Sequence, residues 1–136
     1  MESLDHNDEY RYESVVEQGK PTWTDYGIVY IQGDITAENV MKWRLDIEGV
    51  MEQKPAELVV YMECYGGAVT SMLGLYDVIK GIEIPTTCLC SGMVASAATV
   101  LLQAFTTRLA LPHTSIHLHE AGIMPSVGDR EALAVL

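Results

Sequence analysis

From residue 27 onward the chain alternates two hydrophobic patterns: short apolar runs, and stretches in which apolar residues return every third or fourth position. The first run, "GIVYIQG", is β-branched and aromatic and closes on glycine, which predicts a buried strand over Ile28 to Ile31. In "DITAENVMKWRLDIEGVMEQKP" the period becomes that of a helix. Val40, Trp43, Ile47, Val50 and Met51 share one face, Thr36 stands where a cap belongs, and Pro55 lies just past the end. "ELVVYM" (57–62) predicts a second strand, and "ECYGGAV" turns out of it into a second helix carried by Val69, Met72, Leu73, Tyr76 and Ile79 and ended by Gly81. "PTTCLC" (85–90) predicts a third strand, leading through Ser91 and Gly92 into "SGMVASAATVLL" (91–102) as a third helix. "RLALP" and "TSIHLHE" predict two further short strands, and "VGDREALAVL" has the composition of a helix start. Strands alternating with helices imply right-handed β-α crossovers and an α/β fold.

Outside that pattern, "MESLDHNDEYRYESVVEQGK" is acidic and polar without sustained periodicity, so residues 1–26 are expected to form an acidic N-terminal arm and residues 27–136 one domain. A chain of 136 residues, 49% of them hydrophobic, suffices for one well-filled core. The formal net charge of −11 argues against nucleic acid or anionic membrane as the main partner, because both would be repelled. No basic-then-apolar leader and no apolar run near the roughly 20 residues of a membrane span stands in the sequence, which points to a soluble cytoplasmic protein. Cys64, Cys88 and Cys90 are odd in number and lack metal-ligand spacing, as expected of reduced thiols.

Three places could carry chemistry. Gly66-Gly67 follows a strand and precedes a helix, where main-chain amides can approach a ligand closely; the bland alternative is a tight turn. The second is Ser96, alone among Val94, Ala95, Ala97 and Ala98. Small neighbours leave room for a substrate carbonyl beside its hydroxyl and beside the Ala97 amide. Serine very often caps a helix instead, and local sequence favours the cap. Third, "HTSIHLHE" puts His117 and His119 on one strand face, where they could pair on a metal with Glu120 or His113, or supply one catalytic histidine and one packed neighbour. No third ligand stands at recognisable spacing, so no metal is expected. Cys88 and Cys90 share a face among apolar residues and read as packing thiols. Neither G-x-G-x-x-G, nor a P-loop, nor the G-x-S-x-G elbow is present.

The order of these pieces carries a resemblance. Residues 59–122, "VVYMECYGGAVTSMLGLYDVIKGIEIPTTCLCSGMVASAATVLLQAFTTRLALPHTSIHLHEAG", combine strand-Gly-Gly-helix, "Y-D-x-I", "G-x-x-A-S-A-A", "R-x-A-L-P" and a strand ending in histidine. In that order they resemble the proteolytic subunit of the Clp protease family, including relatives encoded by tailed phages, and the likeness continues back to about Gly27. The resemblance implies a crotonase-like spiral of β-β-α units, hydrolysis of peptide bonds in unfolded proteins or peptides by a serine, homo-oligomeric rings, and no cofactor. It also implies a separate AAA+ unfoldase as partner. Carried over residue by residue, Ser96 matches the nucleophile and His119 the general base. Gly67 and Ala97 match the positions whose amides form the oxyanion hole, with Gly66 and Gly67 lining the substrate.

Departures from the family pattern are also visible. Cys64-Tyr65 replaces the usual Ser-Pro before the paired glycines, and Ala121 stands where a proline is common. The family's third triad member is an aspartate beyond a long helix that "VGDREALAVL" only begins, so the domain is expected to be short at its C-terminal end and the peptidase feeble. Two alternatives follow: a non-catalytic ring subunit, and a crotonase-type enzyme using the same amides on the thioester enolate of an acyl-CoA.

Overall fold

A computed structural model describes residues 23–119. After a 3-10 turn over Thr24–Tyr26 come β1 (Ile28–Ile35), α1 (Ala37–Glu52), β2 (Leu58–Gly67), α2 (Val69–Lys80), β3 (Thr86–Ala95), α3 (Ala97–Leu102), β4 (Thr107–Ala110) and β5 (Ser115–His117). The five strands make one sheet in the order β1-β2-β3-β4, with β5 also paired to β3 and every pairing parallel. β4 runs beside Thr87 to Cys90 and β5 beside Met93 to Ala95. The edge of β3 away from β2 is thus covered first by one short strand and then by the next.

Side chains alternate across the sheet as strand geometry requires. Leu58, Val60, Met62 and Cys64 on β2 and Thr86, Cys88 and Cys90 on β3 are buried. Against them pack Trp43, Ile47 and Val50 of α1, Met72, Leu75 and Ile79 of α2, and Ala98, Leu101 and Leu102 of α3. The helix start expected at Thr36 is realised: the Asn39 amide donates to Thr36 Oγ1 at 3.0 Å, satisfying one of the free donors of the first turn.

The strands run further than their apolar cores. β1 continues to Ile35, β2 through Gly66-Gly67, and β3 through Ser91-Gly92 to Ala95, so α3 begins at Ala97 and not at residue 91. Gly92 adopts φ 62°, a conformation most residues avoid, and that lets the strand bend and still reach Ala95. On α2 the buried face is Met72, Leu75 and Ile79, whereas Val69 and Leu73 are exposed. Within the expected arm, the Trp23 carbonyl accepts from the Ile28 amide and the Thr24 carbonyl from Gln53 Nε2, which ties the 3-10 turn to β1 and α1. Residues 1–22 and "VGDREALAVL" lie outside the described residues.

Two threonines close the junction between α3 and β4. The Thr86 amide donates to Thr106 Oγ1 at 2.7 Å, the Thr106 amide donates to Thr86 Oγ1 at 3.0 Å, and Thr106 Oγ1 donates to the Thr86 carbonyl at 2.7 Å. Thr86→Val keeps the shape but leaves the Thr106 amide without its acceptor, at a cost of about 1–3 kcal/mol. A urea titration should show the midpoint falling with an unchanged slope; an unchanged midpoint would mean the hydroxyl contributes nothing net.

Candidate active site

The C-terminal ends of β2 and β3 meet where the three candidate segments converge. Parallel pairing sets Cys64 beside Val94, and both strands then turn into helices at the same edge of the sheet. The closeness is measurable at Gly66, which has φ 92°: a Cβ built there would lie 2.7 Å from Ser96 Cβ, 2.9 Å from the Ala95 carbonyl oxygen and 3.1 Å from the Ala97 nitrogen. Only glycine lets the two turns approach this far. Gly67, at φ 148°, lies against the Ile35 backbone, and the next amide, Ala68, donates to the Ile35 carbonyl at 3.0 Å. The Gly-Gly segment is therefore wedged between the end of β1 and the Ser96 turn.

Ser96 itself has φ 58° and ψ −130°. Such a backbone costs on the order of 1–3 kcal/mol for a non-glycine residue and persists only where its surroundings enforce it. It stands at the N-cap position of α3, yet its side chain makes no cap hydrogen bond, so the helix-cap role is not the one the hydroxyl fills. The side chain is half-buried, with Ala97 and Ala98 buried next to it. A strained residue at a sharp strand-to-helix turn is how α/β-hydrolases present an exposed nucleophilic hydroxyl, although the glycine motif here differs from theirs.

β5 brings the histidine segment alongside. Ala95 pairs with His117, and the Ser96 amide donates to the His117 carbonyl at 2.9 Å. His119 follows as the second residue beyond β5, and both histidines are exposed. Among the described residues no group of three or more His, Cys, Asp or Glu side chains is placed to hold a metal ion. Glu120, weighed above as a ligand, lies outside the described residues.

Cys64, the departure at the glycine turn, is fully buried. Burial pushes its thiol up, with the Gly66 and Tyr65 amides drawing it partly back, which favours the neutral thiol. Tyr65 is half-exposed on the other face, and the nearby Glu63 carboxylate pushes its phenol up. Cys88 and Cys90 are both buried, and the Cys88 thiol is held up by its hydrogen bond to Cys90 and by burial, in keeping with packing. Sequence reasoning missed the main-chain partners, the carbonyls of Ile35 and His117, because any residue supplies a carbonyl. It also passed over Thr99, whose one signal is a hydroxyl inside an apolar run.

The family model described as Clp protease matches residues 22–129. The chain belongs to the Clp protease family. An ATP-dependent Clp protease proteolytic subunit 1 from Tropheryma whipplei is 32% identical over 129 residues, covering 93% of this chain and 61% of that protein. Another from Rhodococcus jostii is 34% identical over 106 residues, covering 74% of this chain and 47% of its own length. The chain thus spans roughly half to three-fifths of the Clp relatives it matches. Among solved structures, the ClpP protease catalytic domain from Plasmodium falciparum superposes with a TM-score of 0.65 at 20% identity, over 73% of this chain and 58% of that one. The fold is the ClpP-type, crotonase-like α/β fold. No described helix is long and apolar enough to cross a membrane.

Proposed function

We propose that this Clp-family chain forms a serine peptidase site in which Ser96 is the nucleophile, His119 the general base, and the Gly67 and Ala97 amides the oxyanion hole. The observation that carries the reading is the strained Ser96 turn, uncapped and packed against Gly66 within van der Waals distance. In the first step Ser96 Oγ attacks the peptide carbonyl carbon while its proton passes to His119. The carbonyl oxygen becomes an oxyanion, and the two amides stabilise it in a site with little freedom to reorganise. Collapse breaks the C–N bond, His119 returns the proton to the leaving amine, and water then hydrolyses the acyl-serine by the same route. The substrate is an unfolded protein or short peptide, and the working assembly is a homo-oligomeric ring served by a separate AAA+ unfoldase.

Hydrolysis of a fluorogenic peptide is the test. Turnover is expected in the wild-type chain and its loss in Ser96→Ala, with circular dichroism unchanged in the variant. Equal turnover by Ser96→Ala would remove Ser96 from the mechanism. A folded wild-type protein without any turnover would favour a non-catalytic ring subunit instead.

A further inference from the structure

Ser96 is held at both ends of its own residue. Its amide is fixed to β5 through the His117 carbonyl, and its carbonyl accepts two hydrogen bonds from one residue: the Thr99 amide at 2.9 Å and the Thr99 hydroxyl at 2.6 Å. Thr99 is only 4% exposed, one of two buried polar or charged residues among those described, in a helix otherwise made of alanine, valine and leucine. Its own carbonyl accepts from Gln103 Nε2 at 3.1 Å. In an ordinary helix interior a threonine hydroxyl bonds back to a carbonyl three or four residues earlier and merely satisfies itself. At this place the carbonyl it reaches belongs to the strained residue. α3 begins only at Ala97, so no earlier helical turn exists to hold the Ser96 peptide.

We propose that Thr99 is a positioning residue for the Ser96 nucleophile. Its hydroxyl clamps the Ser96 carbonyl and so holds the φ and ψ at which Ser96 lies against Gly66 with its side chain uncommitted to the helix cap. The inference rests on the peptidase reading above. A backbone held in a sparsely populated conformation relaxes when a restraint is removed, and a misplacement of the reacting atom slows the chemical step more than it weakens binding.

The experiment compares wild type, Thr99→Val and Thr99→Ser by the rate of fluorophosphonate labelling at Ser96 and by kcat and KM on a fluorogenic peptide. Valine preserves the shape and deletes the hydrogen bond. Loss of one such bond should slow labelling and kcat by about tenfold, with KM within about twofold of wild type. Serine restores the bond and should restore the rate. Thr99→Ala replaces valine should the latter not fold. Wild-type labelling with an equal rate in Thr99→Val overturns the proposal and leaves the peptidase reading standing, as does a variant structure in which Ser96 keeps its positive φ. Failure of the wild type itself to label overturns both.

Discussion

Replacing Gly66 by alanine is expected to abolish measurable peptidase activity, with a loss of at least about 10²-fold, because displacement of reacting groups by roughly 1 Å suffices for that. The new methyl carbon would meet Ser96 Cβ at 2.7 Å and the Ala95 carbonyl oxygen at 2.9 Å, and neither neighbour is the far end of a flexible side chain. Relief must come from moving the β2 turn away from the Ser96 turn, which separates the Gly67 amide from Ser96. The φ of 92° adds strain of its own for any residue with a Cβ. Gly74→Ala is the control: nothing lies within 4 Å of its added carbon, and alanine is the better helix former. Activity and melting temperature measured together separate the outcomes. Retained activity in Gly66→Ala would show that the two turns need not touch for catalysis.

His119→Ala should lower the fluorophosphonate labelling rate by about 10²–10⁴-fold, the usual contribution of a positioned general base. His119 is exposed and follows β5, so little packing is lost and the melting temperature should stay close to wild type. His117→Ala is the matched comparison. Its carbonyl, which holds the Ser96 amide, belongs to the main chain and survives the substitution. A larger rate loss at His117 than at His119 would transfer the base to the other histidine of the pair.

Features that depend on local chemistry were legible in the residues. Thr36 before an amphipathic stretch gave the start of α1, and the buried face Val40, Trp43, Ile47 and Val50 followed from spacing alone. Spacing put Leu73 on the buried face of α2, whereas the structure exposes Leu73 and buries Leu75. Packing against α1 and α3 chose Leu75. The extension of β3 past Gly92 was hidden because a glycine reads as a stop, while here its left-handed backbone carries the strand onward.

The candidate site divides in the same way. Ser96, the glycine pair and the histidine were readable as residue types, and their order supplied the resemblance. Their meeting was not, because Gly66 and Ser96 touch only through the parallel register of β2 and β3. Local sequence favoured Ser96 as a cap for a sound reason, since serine at a helix start usually serves that end. The positive φ of Ser96 and the hold of Thr99 on its carbonyl depend on three-dimensional closure and have no one-dimensional sign.

Peptidase chemistry at this site requires an activated Ser96 Oγ. The most direct measurement is the mass spectrum of the folded protein after reaction with a fluorophosphonate, in which the serine oxygen forms a bond to phosphorus and fluoride leaves. A single adduct mapped to Ser96, formed about 10²–10⁴-fold more slowly in His119→Ala, is the predicted result. An unmodified protein, or an adduct on another residue that persists in Ser96→Ala, would contradict it.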